Sequence, residues 1–377
     1  MTGFATLADA TTPVRVILVG AGAMGRNWFD VLQASTDVSL VGLVDLDLEL
    51  ANRVKTESGL TDLVVGASVT EVAETTGAQA VINVTVPVAH YAVNTEALFA
   101  GLPVLCEKPI APTVSQALAL AAASEASGQL LMTSQSRRYY RALVEFRREI
   151  ATLGDVGIVT TEFYRGPRFG GFRDSMEQPL LLDMAIHAFD VSRYILGAEP
   201  VSVYCQTFNP SWSWYQGDAA AIATFEFGGG IRYLFNGSWC SDGLETSWNG
   251  NWRVSASGGT ASWDGQTSPQ VARTGEGREA IVAEPDVPEE IAGSLAEFIH
   301  AIRTGETPSG AVHSNILSLA MVEAAVRSAD TAETVVLADM LEDAWAAALQ
   351  DEKDSRTLAV LQGWGSARSG LSVEVGV

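Results

Sequence analysis

The chain has 377 residues, 47% hydrophobic and 8% aromatic, enough for two domains with cores of their own, which excludes a disordered or fibrous class. Its formal charge of −22 repels nucleic acid and anionic membrane surfaces, so neither is expected as a partner. Cys106, Cys205 and Cys240 lie far apart without Cys-x-x-Cys or Cys/His spacing, so buried thiols are expected, with no disulfide framework and no metal.

The first dozen residues lack the basic start and apolar centre of a signal peptide, and no apolar run reaches a membrane span; the expected location is cytoplasmic. Residues 14–19, largely β-branched, predict a strand buried on both faces of a parallel sheet. It stops at Gly20, Gly22 and Gly25, spaced G-x-G-x-x-G. Gly20 permits a tight turn, Gly22 lets a pyrophosphate approach the backbone, and Gly25 lets the next helix pack close to the strand. The amides of Ala23 and Met24 at the helix start would face the phosphates. A helix at 26–33 and a strand at 38–44 lead to Asp45, 20 residues beyond Gly25, the distance expected for an acid that binds an adenosine ribose. This order predicts a dinucleotide site. A carboxylate at Asp45 repels a 2′-phosphate, and neither Leu46 nor Asp47 would bind one, so NAD is favoured over NADP.

Further along come a helix at 48–57, a strand at 63–65, a helix start at 70–75 and a buried strand at 80–84. That strand ends in Thr85-Val86-Pro87 with His90 just beyond, where strand ends meet a ligand crevice. Thr85, Pro87 and His90 are therefore expected cofactor contacts, with packing under the loop as the other reading of His90. A helix at 91–99, with Gly101 past its end, precedes a strand at 104–106 and then Glu107-Lys108-Pro109. Glu107 joins the expected cofactor contacts. Lys108 is one of three lysines, and Pro109 holds its backbone extended at a buried strand end. An ammonium partly desolvated there would bind a substrate hydroxyl or exchange its proton near neutral pH. A helix at 113–127 and a strand at 130–133 complete a doubly wound, Rossmann-type domain over residues 1–133.

Residues 134–377 read as a second, α+β domain. The arginine-rich tract 134–148 predicts a linker into a helix, with Arg137 or Arg138 placed to face a cleft. Strands at 159–164, 201–208, 219–227, 231–238, 252–256 and 260–263, with hairpin glycines at 228–230 and 258–259, predict an open, largely antiparallel sheet. Six of nine tryptophans (Trp212, Trp214, Trp239, Trp248, Trp252, Trp263) fall in this region; their faces can stack on sugar rings or fill sheet-sheet or subunit interfaces, and interfaces are expected for most of them. Arg137, Tyr164 and Arg168 are the expected substrate contacts. A helix over 180–197 carries Asp183, His187, Asp190 and Tyr194 at spacings of four, three and four, on one face. A carboxylate one turn before a histidine fixes its tautomer and raises its basicity, as a general base requires, although a structural pair has the same spacing. Helices at 289–304 and 315–329 are expected over the sheet or back on the first domain, with His300 and His313 structural, and a last helix at 341–349 precedes a tail of no evident role.

The chain resembles the glucose-fructose oxidoreductase, inositol dehydrogenase and MocA family. Gly20-Ala21-Gly22-Ala23-Met24-Gly25, Thr85-Val86-Pro87 with His90, Glu107-Lys108-Pro109, and Asp183-Met184-Ala185-Ile186-His187 with Asp190 occur in the family's order, over about residues 14–330. The resemblance implies a Rossmann domain, then a domain with an open mixed sheet often used for dimer or tetramer contacts. It implies that Lys108, Asp183 and His187 match the family's catalytic trio. The implied activity is NAD-dependent oxidation of a secondary hydroxyl on a sugar, glycoside or cyclitol, with a redox-assisted glycosidase or a dinucleotide-binding sensor as alternatives. Ala185 stands where the family often has Gly. Met176-Glu177-Gln178-Pro179 replaces a glycine-rich lead-in, so the substrate itself does not carry over.

Overall fold

The computed structural model describes residues 3–9, 11–280 and 287–371. The described residues form two compact units: the first holds those of 3–136, 291–316 and 344–371, the second those of 137–290 and 317–343. The expected single cut at 133/134 is thereby corrected. Two late segments return to the first unit because that sheet has an edge and a helical layer to cover.

The first unit is built on a six-stranded sheet of β1 (Val14–Val19), β2 (Val38–Val44), β3 (Val64–Gly66), β4 (Ala80–Asn83), β5 (Val104–Glu107) and β6 (Leu131–Ser134), in the order β3-β2-β1-β4-β5-β6 with every pair parallel. Strand order reverses between β1 and β4, the place where such sheets open a crevice. Between the strands run α1 (Ala23–Ala34), α2 (Leu48–Ser58), α3 (Val69–Thr76), α4 (Pro87–Phe99) and α5 (Val114–Ser127). Side chains of Asp47, Ser68 and Thr113 cap α2, α3 and α5 by accepting from Leu50, Glu71 and Gln116 N–H groups. Helix α1 begins at Gly22 with no side-chain cap, and α4 begins with Pro87 in its first turn.

The second unit carries α6 (Arg141–Ile150), β7 (Val156–Tyr164), a π-helical turn over Leu180–Ala185, α7 (Ile186–Leu196), β8 (Pro200–Phe208), β9 (Ala220–Phe227), β10 (Arg232–Ser238), β11 (Asn251–Ala256), β12 (Gly259–Trp263), β13 (Gln270–Arg273) and β14 (Arg278–Ala280). With β15 (Val335–Val336) they form one sheet, β14-β13-β12-β11-β7-β10-β9-β8-β15, antiparallel except for the pairing of β10 with β7. Alternate residues of the strands face inward: Phe225, Tyr233 and Phe235 pack around Phe189 of α7, Trp252 stacks on Tyr233, and Trp263 meets Phe146 of α6. Trp239, Trp252 and Trp263 are buried inside this unit, so those three fill the packed layer of its own sheet. Trp212 is exposed.

The later elements are α8 (Glu290–Thr304), α9 (Val312–Thr331), α10 (Leu337–Asp351), α11 (Ser355–Trp364) and α12 (Ala367–Leu371). In the first unit, Gly310 accepts from the Thr133 N–H and Ala311 bridges Met132, which covers the edge strand β6. The tail has a packing role: α11 lies on α5, and the Arg356 guanidinium sits 3.5 Å from the centre of the Phe99 ring. Among the described residues no helix is long and apolar enough to cross a membrane, and no group of three His, Cys, Asp or Glu is placed to hold a metal ion.

The glycine turn between β1 and α1 is sterically fixed. Gly20 has φ +108°, and a Cβ there would lie 3.0 Å from the Val84 carbonyl oxygen, while a Cβ on Gly25 would collide with the Gly20 carbonyl. At Gly22 a Cβ would meet open space. Gly25→Ala is therefore expected to destabilise the protein by about 1–3 kcal/mol or more, and Gly22→Ala by no more than about 1 kcal/mol, in urea unfolding. Equal losses for the two would contradict this account.

Candidate active site

In the first unit, the crevice begins where β1 ends. Gly20 N–H donates to Val44 O at 2.8 Å, which ties the turn to the end of β2. Asp45, the next residue after β2, is held there: its Oδ2 accepts from Ala21 N–H at 2.7 Å and its Oδ1 from Asp47 N–H at 2.8 Å. Each carboxylate oxygen keeps acceptor capacity for ribose hydroxyls. Helix α1 starts at Ala23, earlier than the helix read from residues 26–33, with Gly22, Ala23 and Met24 exposed. Its first amides face open space with no side chain to satisfy them, which fits a diphosphate bound by a helix dipole. The donor set, the clearance at Gly22 and the poised Asp45 all fit a dinucleotide.

The ends of β4 and β5 form the rest of this crevice. Asn83 donates to Asn94 Oδ1 and accepts from the Thr85 amide and hydroxyl, which orders the turn into α4. His90 is fully buried, with Nδ1 2.7 Å from Pro109 O and Nε2 3.0 Å from Thr85 O. The expected cofactor contact by His90 is corrected: both ring nitrogens face backbone carbonyls, one of which accepts the single N–H of the neutral ring, so the residue packs between the turn after β4 and the turn after β5. Burial holds its pKa below the ordinary histidine value of 6.5, the two carbonyls oppose that shift, and the charge of Lys108 adds to it. Glu107 is nearly buried as well, with Oε1 accepting from Trp28 Nε1 at 2.9 Å and Oε2 from the Lys108 N–H at 3.2 Å. Burial raises the Glu107 pKa, against the pull of the Trp28 bond and of Lys108. Both are supports for the Lys108 backbone, which places the half-buried Lys108 side chain at the strand end.

In the second unit, the helix expected over 180–197 is π-helical at its start and α-helical from Ile186. Wide turns of this kind are frequent at functional sites. Asp183 lies in the wide turn and its Oδ2 accepts from Arg173 Nε at 2.6 Å. His187, in the first turn of α7, lines a cavity of about 10 Å³, room for one water, together with Arg137, Phe163, Met184, Trp248 and Asn249. Arg137 donates from Nη1 to Asn249 Oδ1, its Nε is buried without a partner, and burial pushes its pKa down. Of the expected substrate contacts, only Arg137 reaches this cavity. Tyr164 ends β7 outside it, and Arg168 is exposed, paired with Asp242 at 2.7 Å and stacked over Trp214.

The reactive face read from the spacing also divides. Asp190 is buried in a bidentate pair with Arg138, at 2.7 and 2.6 Å, and accepts from Ser318 Oγ, while Tyr194 lies under the Arg138 and Arg147 guanidiniums. These two hold the helix. The spacing of residues along the chain gave no sign of Arg173, Trp248 or Asn249. Arg173 lies in the segment preceding Met176, where the chain departs from the family pattern, and that departure was the available signal.

A parallel sheet with a glycine turn at its switch point, followed by an open mixed sheet, defines a dinucleotide-binding protein of two units. Residues 14–135 match the model of an oxidoreductase family with an NAD-binding Rossmann fold, and residues 147–262 match the GFO/IDH/MocA C-terminal domain. The chain belongs to the GFO/IDH/MocA family of NAD-binding oxidoreductases. It is similar to a 1,5-anhydro-D-fructose reductase of Ensifer adhaerens, 26% identical over 330 residues, 84% of this chain and 96% of that one. It is 30% identical over 194 residues to inositol 2-dehydrogenase 4 of Saccharopolyspora erythraea, about half of each chain (50% and 56%). In fold it is similar to an oxidoreductase from Agrobacterium radiobacter solved with NAD+, L-tartaric acid and magnesium, with a TM-score of 0.80 and 19% identity over 88% of this chain and 100% of that one.

The buried His90 ring makes stability depend on pH. Its folded pKa is depressed below 6.5, so the stabilisation is complete above that pH and is lost as pH falls below it, because the unfolded chain binds the proton more readily. The melting-temperature advantage of the wild type over His90→Asn should be largest above pH 6.5 and shrink towards roughly pH 5. An advantage constant across that range would mean that burial does not control this ring.

Proposed function

We propose that the chain is an NAD-dependent dehydrogenase acting on a secondary hydroxyl of a sugar, glycoside or cyclitol. The observation that carries this reading is the placement of Asp183 and His187 on successive turns of one helix start, half-buried, with His187 beside Arg137 and Asn249 in an otherwise apolar and aromatic setting. The reductase and inositol dehydrogenase names of its relatives support the substrate class.

Gly20, Gly22, Ala23, Met24 and Gly25 would hold the diphosphate, and Asp45 the ribose; Thr85 and Pro87 border the same crevice. The Asp45 carboxylate favours NAD, since a 2′-phosphate would meet like charge. Bound NAD supplies the acceptor for the hydride leaving the carbinol carbon. His187 takes the hydroxyl proton, and Asp183 orients the imidazole or a neighbouring hydroxyl. The Lys108 ammonium donates a hydrogen bond to the reacting oxygen and stabilises the negative charge that develops there. Oxidation then yields a ketone, NADH and a proton on the protein.

A second copy of the chain is the proposed partner of the sheet. The face turned away from α7 exposes Ile158, Tyr204, Ile222 and Leu234 on four neighbouring strands, each between 39% and 50% accessible. An apolar patch of this kind on an open sheet suits a two-fold contact. The pair Ile222→Glu and Leu234→Glu should convert a dimer or tetramer into monomers by light scattering, and an unchanged mass would place the contact elsewhere.

The catalytic reading is tested by NADH absorbance with NAD and a panel of sugars, glycosides and cyclitols. Lys108→Met should lower turnover by about 10²–10⁴-fold while NAD affinity by calorimetry stays within about twofold. Unchanged turnover would remove Lys108 from the mechanism, and product release without NADH would point to the redox-assisted glycosidase.

A further inference from the structure

Two arginines from other segments meet the surroundings of Asp183 and His187 with more donors than the fold uses: Arg173 bonds Asp183, and Arg137 lines the cavity that His187 lines. Arg173 reaches Asp183 through Nε alone, and its two terminal nitrogens have no partner among the described residues, although the side chain is one-third exposed. Arg137, on the cavity that His187 lines, is bonded to the neutral amide of Asn249 and has no carboxylate at ion-pair distance among the described residues. The acid whose field it feels, Glu290, is engaged by the Tyr140 hydroxyl. Other arginines of this unit are matched: Arg138 with Asp190, Arg165 with Glu245, Arg168 with Asp242. Arg137 is thus a buried guanidinium with no carboxylate at ion-pair distance among the described residues, a costly state that a bound anion would relieve, while Arg173, already paired with Asp183 through Nε, keeps two terminal nitrogens to offer.

The segment bearing Arg173 is held for such a task. Pro167 O accepts from Trp214 Nε1 and from the Tyr215 hydroxyl, and Asp174 O accepts from Gln216 N–H. Between these anchors Gly170 and Gly171 both adopt positive φ, and the Arg173 guanidinium is flanked by the Phe169 and Phe172 rings. The rings restrict the fork to a narrow range of orientations.

We infer that the substrate is an acidic polyol, an aldonate, uronate or carboxylated cyclitol, whose carboxylate is bound by the terminal nitrogens of Arg173 with Arg137 adding to the positive field. This rests on the dehydrogenase reading and names its substrate class. The carboxylate takes two N–H donors of a planar fork, a geometry that an ammonium does not reproduce.

The test pairs acids with neutral counterparts: glucuronate with glucose, galacturonate with galactose, gluconate with glucitol, quinate with myo-inositol. Binding to the full chain with saturating NAD is measured by calorimetry, and NADH formation is followed alongside, for the wild type, Arg173→Gln and Arg173→Lys. At least one acid should bind about tenfold or more tightly than its counterpart, and Arg173→Gln should erase that preference, with Arg173→Lys recovering part of it. NAD affinity of the variants reports that they are folded. The inference is overturned if no acid binds more tightly than its counterpart, or if both variants weaken acid and neutral ligands by the same factor. Arg173-dependent binding of an acid without NADH would sink the dehydrogenase reading and leave this one standing. NADH formed from neutral compounds with no preference for acids would do the reverse.

Discussion

The first unit depends on one close approach of backbone to backbone. Gly20, with φ +108°, lies against the carbonyl of Val84, and Gly25 lies against the carbonyl of Gly20, so a side chain at either would force the strand, the turn and the helix apart. The same turn then fixes Asp45, because the Ala21 amide that leaves Gly20 donates to its carboxylate. Steric closeness thus becomes electrostatic placement: the acid is held by two amides at the edge of a helix terminus. Helices α2, α3 and α5 have side-chain caps, each contributing about 1 kcal/mol, whereas α1 has none. An uncapped terminus beside open space is what an anionic ligand requires, and it allows a chain of charge −22 to hold a dinucleotide by local dipoles without a basic surface.

In the second unit the corresponding constraint is buried charge. Arg138, Asp190, Ser318, Arg193 and Glu199 form a continuous set of hydrogen bonds, from the bidentate Arg138–Asp190 pair through Ser318 to the Arg193–Glu199 pair. Removing one partner would leave a charge in the core, at about 3–5 kcal/mol. The network fixes α7 from behind and leaves its first turn, with His187, and the π-helical turn before it, with Asp183, at the half-buried end. The proposed general base, His187, would need this division, since its position must be set by groups that take no part in the proton transfer.

Much of this was legible in the sequence where a local rule has few solutions. The order of strand, glycine turn, helix, strand and acid admits one arrangement, and Gly20, Gly25 and Asp45 take the places expected of them in it. His90 was harder, because a histidine after a strand end has the same neighbours in sequence whether it faces a ligand or two carbonyls. The short strands β13, β14 and β15 carry too few residues to show a period, and the parallel pairing of β10 with β7 brings together segments far apart in sequence. The tryptophans were left between kinds of interface for a related reason: composition reports how many rings there are, but inward or outward facing depends on strand register, which places Trp252 and Trp263 inside.

The stripe of Asp183, His187, Asp190 and Tyr194 shows where local reasoning stops. Its spacing assumes 3.6 residues per turn throughout, but Leu180–Ala185 is a π-helical turn, in which the hydrogen bond spans one residue more. The added residue rotates Asp183 relative to the positions that follow. Asp190 consequently turns to the buried Arg138, while Asp183 turns to Arg173 on the neighbouring segment. A regular α-helix would keep both acids in one line. The wide turn separates an acid that holds the helix from one that meets a guanidinium at the surface of the site, which is how four residues of one apparent face come to serve two different ends.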